Sequence, residues 1–232
     1  MPLLKLRNLW AKIIFHNRKI YLKKLLRKKL IDLRKKKFLE IDLKYNSQVF
    51  KLLKKKFKNI KVIGGYVPIN YEYNCLNLLK YLENKKYSVC LPVIEKNFQM
   101  NFYEHSFNNP LKLNSLGIPE PTITVKKIIP DLIFVPMVGY DNNLNRLGYG
   151  GGFYDRYIEK NSKLKKIIKI GLAFSFQKIK KLPSNKFDIK LNRIITEKKI
   201  WYENIIFRWR GWPNRMWCNK KKIYQKLSKK KV

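Results

Sequence analysis

From Asn17 to Phe38 the apolar residues Leu22, Leu26, Leu30 and Leu33 recur at spacings of four, four and three, which predicts a helix with one buried face. A second amphipathic segment, about Leu43 to Phe57, leads into Lys61-Val62-Ile63-Gly64-Gly65-Tyr66, an apolar run ending in glycines that reads as a strand. A helix over about Asn74 to Glu83 follows, then a second strand at Tyr87 to Val93 and a short third one at Met100 to Tyr103. Gly117-Ile118-Pro119-Glu120-Pro121 reads as a turn. Further buried strands are predicted at Asp131 to Val138 and at Ile167 to Phe174. Helix and strand alternate, as in a mostly parallel sheet.

The run Asp131 to Val138 delivers Arg146-Leu147-Gly148-Tyr149-Gly150-Gly151-Gly152-Phe153-Tyr154-Asp155-Arg156. Four glycines in five positions remove Cβ atoms, so successive backbone N–H groups can converge around a phosphate. Arg146 and Arg156 add positive charge, and Asp155 is a hard oxygen ligand for a metal. The loop lacks the Gly-Lys-Ser/Thr of a Walker A motif, and it does not fit the dinucleotide-binding fingerprint. A plain tight turn remains open from the glycines alone. On the first helix, Lys23, Arg27, Leu30 and Arg34 fall at i, i+4, i+7 and i+11, so the leading cations share a face. By pattern alone that is a solvated face.

The block Asp131 to Ile158 resembles the 5-formyltetrahydrofolate cyclo-ligase (5,10-methenyltetrahydrofolate synthetase) family. Its signature is matched by Pro136, Tyr140-Asp141 and the unbroken run Arg146 through Asp155. Weaker matches extend over about residues 20 to 204: Lys23 to Leu30 with the family's N-terminal Lys-x-x-Leu-Arg element, Gly117 to Pro121, Leu182-Pro183 with Phe187-Asp188-Ile189, and Arg193 to Glu197. The resemblance implies ATP-driven closure of 5-formyltetrahydrofolate to 5,10-methenyltetrahydrofolate, through phosphorylation of the formyl oxygen and attack by N10.

It further implies that Lys23, Arg27 and Arg146 act on the phosphates as catalytic cations. Lys23, Arg27 and the stretch Arg146, Leu147, Gly148, Tyr149, Gly150, Gly151, Gly152, Phe153 and Tyr154 would form the ATP site. Asp155 and Asp188 are the matching Mg²⁺ ligands; Asp188 read by itself is equally a turn acid. Gly65-Tyr66-Val67-Pro68-Ile69-Asn70-Tyr71-Glu72 resembles the family's folate-binding segment, which makes Glu72 the acid that holds the pterin. Beyond it Tyr73-Asn74 stands where the family usually continues Ile-Asp. Tyr66, Tyr149 and Phe153 offer aromatic faces to the pterin, and the glycines 150 to 152 complete the substrate site.

Composition changes the picture at the ends more than in the middle. The chain has 232 residues and a formal charge of +38. Residues 1–60 carry 20 basic and 3 acidic side chains, residues 61–206 carry 23 and 12, and residues 207–232 carry 10 and none. The expected organisation is a basic extension over 1–16, one three-layer αβα domain around a mostly parallel sheet over 17–206, and a basic aromatic tail over 207–232. The tail runs Arg208-Trp209-Arg210-Gly211-Trp212 and on into lysine clusters, a composition that suits contact with nucleic acid or an anionic surface, but it has no periodicity on which to build an interface, and the preferred expectation is a plain disordered extension.

A nucleic-acid-binding protein and a non-catalytic folate or nucleotide binder therefore stand beside the enzyme. Cys75, Cys90 and Cys218 are widely spaced and suggest neither a disulfide framework nor a zinc site. His16 and His105 are assigned surface or packing roles. No apolar run approaches the ~18 residues of a membrane helix. A cytoplasmic monomer is expected, with a mitochondrial matrix location if residues 1–16 are a transit segment.

Overall fold

The computed structural model describes residues 2–37, 44–57, 59–122, 126–185, 187–198 and 200–202, with side chains left out at 2–16, 44–48, 98 and 200–202. The tail over 207–232, Cys218 and the side chains of the 1–16 extension, His16 among them, lie outside this description.

In chain order the elements are α1 (Pro2–Lys36), α2 (Lys44–Lys56), β1 (Val62–Gly64), α3 (Leu76–Asn84), β2 (Ser88–Glu95), β3 (Gln99–His105), β4 (Lys112–Leu113) and β5 (Pro119–Glu120). Then come β6 (Leu132–Val135), β7 (Gly139–Tyr140), β8 (Arg146–Leu147), α4 (Phe153–Asn161), β9 (Ile168–Leu172), β10 (Arg193–Ile195) and β11 (Ile200–Tyr202). Seven strands form one sheet in the order β11-β10-β9-β6-β1-β2-β3. The five inner strands, β10 to β2, are parallel to their neighbours, and the two edges pair antiparallel. The expected mostly parallel α/β sheet is present. The turn at Gly117 to Pro121 contributes Pro119–Glu120 to a small antiparallel pair with Lys112–Leu113.

Period-two alternation assigns the strand residues to two cores. On one face Leu132 and Phe134 of β6 pack with Leu53 of α2 and with Leu78, Leu79 and Leu82 of α3. On the other, Ile133 and Val135 pack with Tyr157 and Ile158 of α4. Every side chain of β6 is thus buried, which explains its unbroken apolar sequence. Gly65 lets α3 approach closely: a Cβ there would stand 2.3 Å from Leu79 Cδ1. His105 is buried at the edge of the sheet, its ring 5.3 Å edge-on from Phe107, in the expected packing role. Cys75 and Cys90 are free, buried thiols. Among the described residues no helix is long and apolar enough to cross a membrane.

Helix α1 makes a third, smaller contact layer, in which Leu30 packs with Val138, Leu147 and Leu182. Here the leucine stripe needs correction. Leu22 is exposed, whereas Leu26, Leu30 and Leu33 pack inward as expected, and the same side of the helix also turns in Lys23, Arg27 and Arg34, with Arg34 fully buried. The cations on that face find acceptors beneath it: the Met137 and Gly148 carbonyls of the β6–α4 connection, the Asn70 carbonyl after β1 and the Asp188 carboxylate between β9 and β10.

Asp141 organises that connection. Its carboxylate, 1% exposed, accepts from the Asn143 and Asn145 amides at 2.9 and 3.1 Å, from Asn145 Nδ2 at 2.9 Å and from the Leu182 amide at 3.0 Å. Asp141→Ala leaves these donors unpaired, so it is expected to lower the free energy of unfolding by about 3 kcal/mol. Urea denaturation should register the change as a lower midpoint at unchanged slope.

Candidate active site

Strands β1 and β6 are adjacent and parallel, so the loops after them leave the sheet on the same edge. Their connections then diverge. From β1 the chain passes through α3, on one face, to β2; from β6 it passes through α4, on the other face, to β9. Such a switch point opens a crevice at the carboxyl ends of the strands, where open α/β sheets bind ligands. Both motifs singled out in the sequence emerge there: residues 65–72 after β1, and the glycine loop after β6.

The glycine loop is shaped by two left-handed residues, Gly150 at φ 112° and Gly152 at φ 68°. Gly152 is also the N-cap of α4, so the chain reverses sharply into that helix. A Cβ on Gly152 would stand 2.7 Å from Arg156 Nη1. The helix itself, Phe153–Asn161, is absent from the elements expected from sequence. Its buried stripe is only Tyr157, Ile158 and Asn161, too short to show a period.

Loop, helix and upstream elements surround a cleft of ≈ 580 Å³. All the residues assigned a site role from sequence line it: Lys23, Arg27, Tyr66, Glu72, the whole of Arg146 to Asp155, and Asp188. Arg27 Nε donates to the Gly148 carbonyl at 2.8 Å, joining α1 to the loop. Lys23 Nζ meets Asp188 Oδ2 at 2.6 Å, and Arg146 Nη2 meets Asp155 Oδ2 at 2.8 Å. Asp155 Oδ1 accepts from the Ile189 amide at 3.1 Å, which brings the 188–189 segment against the first turn of α4. Asp188 also accepts from the Asn185 amide at 2.8 Å, so it serves its own turn as well as facing the cleft. Among the described residues no group of three or more His, Cys, Asp or Glu gathers as a metal cluster. Two carboxylates are nonetheless the usual protein share for Mg²⁺, whose remaining ligands are water and phosphate oxygens.

The far wall is different in kind. Glu72, 4% exposed, ends a turn in which Asn70 and Tyr71 both have positive φ, 47° and 60°. Its Oε2 accepts from the Ile69 amide at 3.0 Å, while among the described residues Oε1 has no hydrogen-bond partner. Burial pushes the carboxyl up to about 7, against the Ile69 amide, the Arg34 charge and the Tyr149 hydroxyl, which all favour the ionised form. An unpaired oxygen of this kind suits a ligand with N–H donors. Tyr149 and Phe153 are partly exposed beside it, whereas the Tyr66 ring is buried and its hydroxyl donates to the Tyr73 carbonyl at 2.7 Å. The ring of Tyr66 can bound the cleft, but its hydroxyl is committed.

Residues missed in sequence complete the walls. Ile94, Met100, Leu116 and Ile118 supply apolar surface, and Asn114 and Glu120 sit between them. Glu120 Oε2 accepts from Asn114 Nδ2 at 2.9 Å and the Ile94 amide at 3.3 Å, tying the β4–β5 pair to β2. Their only signal was the Gly117 to Pro121 turn. Arg34 was visible as the next step of the Lys23/Arg27 face and carried no assignment.

A sequence model of the 5-formyltetrahydrofolate cyclo-ligase family matches residues 19–197. The chain belongs to this family. It is 34% identical to the 5-formyltetrahydrofolate cyclo-ligase of Haemophilus influenzae over 145 residues, 60% of this chain and 76% of that protein. The cyclo-ligase of Mycoplasma genitalium is 31% identical over 170 residues, 73% of this chain and 90% of its own length. Among solved structures, the 5,10-methenyltetrahydrofolate synthetase of Aquifex aeolicus superposes with a TM-score of 0.62 at 30% identity, covering 79% of this chain and 93% of that one. The corresponding synthetase of Mycoplasma pneumoniae gives 0.59 at 25% identity, covering 75% and 98%. The cyclo-ligase match thus spans strands β1 to β10, helices α2 to α4 and the second half of α1.

Glu72 makes folding pH-dependent. Below pH 4.5 both folded and unfolded chains carry the proton. As pH climbs toward about 7 the unfolded chain loses it while the folded one keeps it, so stability falls across that window and stays lower above it. The loss is on the order of 3 kcal/mol. Glu72→Gln should flatten this part of the curve; urea unfolding of both proteins on either side of the window measures the difference.

Proposed function

We propose that this cyclo-ligase family member converts 5-formyltetrahydrofolate and ATP into 5,10-methenyltetrahydrofolate, ADP and phosphate. The observation that carries the reading is the division of one cleft into two chemistries. Lys23, Arg27 and Arg146 face the glycine loop on one side, and on the other a buried acid with an unpaired oxygen stands among aromatic rings. The first suits a polyphosphate, the second a pterin.

In the reaction the N-formyl oxygen attacks the γ-phosphorus and the bond to ADP breaks. N10 then attacks the formyl carbon and loses its proton; the C–O bond breaks and phosphate leaves. The protein forms no covalent bond to substrate, so its contribution is alignment and stabilisation of charge on the transferring group. Arg146, 7% exposed at its side chain, is the strongest such contributor, because charge acts most strongly where water is excluded. Lys23 and Arg27 clamp the phosphates from α1, and the backbone of Gly148 to Gly152 wraps them. Glu72 accepts from the pterin donors, and Tyr149 and Phe153 pack against the ring.

Asp155 and Asp188 are the residues that would hold Mg²⁺, which when bound neutralises phosphate charge. We place the activity in the cytoplasm, in keeping with the free thiols of Cys75 and Cys90.

Purified protein given 5-formyltetrahydrofolate, ATP and Mg²⁺ should develop methenyltetrahydrofolate absorbance, and chelation of the metal should abolish it. Folded protein that yields no product would sink the proposal. Arg146→Ala is expected to lower kcat by roughly 10²–10³-fold in protein that still unfolds cooperatively in urea. Unaltered turnover in that variant would remove Arg146 from the phosphate site.

A further inference from the structure

Arg34 lies two turns beyond Arg27 on α1, has no exposed surface, and is not among the residues that line the cleft. Its three guanidinium nitrogens reach three different segments. Nε donates to the Asn70 carbonyl at 2.8 Å, in the turn that ends on Glu72. Nη1 donates to the Met137 carbonyl at 3.2 Å, just past β6. Nη2 donates to the Tyr149 hydroxyl of the glycine loop, and the guanidinium carbon stands 5.6 Å from the Tyr149 ring centroid. Among the described residues no ion pair joins Arg34 to a carboxylate.

A buried cation held only by neutral acceptors is a poor way to stabilise a core, since an apolar side chain of similar volume avoids the desolvation. What the arrangement does accomplish is registration of the two walls that meet over the pterin position. We infer that Arg34 is a positioning residue that holds the Glu72 turn and the Tyr149 ring as one unit, so that affinity for the folate depends on it and affinity for ATP does not. The inference rests on the proposed role of Glu72 as the folate acid.

The groups that face Glu72 are Arg34 from α1, Tyr149 from the glycine loop, Tyr154 from α4, and Tyr66 and Cys75 from its own segment. Burial pushes all three tyrosine hydroxyls and the thiol upward, so each is neutral near pH 7. Arg34 is the charged member of this set.

Three variants separate charge from tether. Arg34→Met removes both, Arg34→Lys keeps the charge with a single nitrogen, and Tyr149→Phe removes one acceptor while leaving the charge and the ring. In Arg34→Met the KM for 5-formyltetrahydrofolate should rise about tenfold or more while the KM for ATP stays within about threefold. The midpoint of Glu72, followed by carbon-13 NMR of its carboxyl with Glu72→Gln as the assignment control, should move up by about one pH unit. Arg34→Lys should keep the midpoint near that of the unaltered protein and still raise the folate KM. Tyr149→Phe should raise the folate KM by about threefold and move the Glu72 midpoint up by less than Arg34→Met does, because the hydroxyl it removes also favours the ionised carboxyl.

An unchanged folate KM in Arg34→Met, or an equal rise in both KM values, overturns the inference. If Arg34→Met does not fold, Arg34→Lys and Tyr149→Phe decide: an unchanged folate KM in both overturns it. Should the unaltered protein form no methenyl product, the proposed function fails. Fluorescence titration with 5-formyltetrahydrofolate and with ATP then replaces KM, and the Glu72 midpoint is read in the same way.

Discussion

Everything at the cleft depends on the parallel pairing of β1 with β6, Ile63 opposite Leu132 and Gly64 opposite Ile133. Because the two strands run the same way, their following loops are delivered to one edge, and because their crossover helices take opposite faces, the loops are parted rather than stacked. A one-residue slip in this register would exchange the inner and outer faces of a strand buried on both sides. The cleft is therefore specified by the same apolar contacts that specify the sheet. Helix α1 comes to this preformed edge from outside and closes it.

Within the closed site every cleft cation already has an acceptor: Asp188 for Lys23, the Gly148 carbonyl for Arg27, Asp155 for Arg146. Partly buried pairs of this kind hold long side chains in one rotamer and so reduce the entropy lost when phosphate is bound. In the proposed reading, phosphate would compete with carboxylate for the same nitrogens. A divalent ion that draws on the carboxylates relieves that competition, so cation and nucleotide would favour each other's binding. The protein needs no moving lid for such coupling, only an exchange of partners among groups already in place.

The strands were legible because full burial imposes apolar runs, as in Leu132 to Val135, and the Lys23/Arg27 face was legible because 3.6-residue spacing survives in any helix. Leu22 misled for the same reason: helical periodicity locates a face but does not say which of two overlapping faces turns inward. That choice was made by acceptors more than a hundred residues away, Gly148 and Asp188. Helix α4 escaped notice because its buried stripe, Tyr157, Ile158 and Asn161, is too short to show a period. Glu72 could be found by resemblance, yet its unpaired oxygen and upward-pushed carboxyl are products of three-dimensional burial. Arg34 was in register with the cation face all along, and only the fold shows that a third cation there is enclosed and not solvated.

Arg27 precedes its acceptor, Gly148, by 121 residues. At the roughly 5–20 residues per second of ribosomal synthesis, α1 emerges on the order of ten seconds before the loop it closes. For that interval the helix has a polar inner face and nothing to lay it on, while β1, α3 and β2 can already associate. A nascent chain stalled before residue 146 would thus carry four of the seven strands of the sheet, β1, β2, β3 and β6, with Arg27 still lacking its Gly148 acceptor.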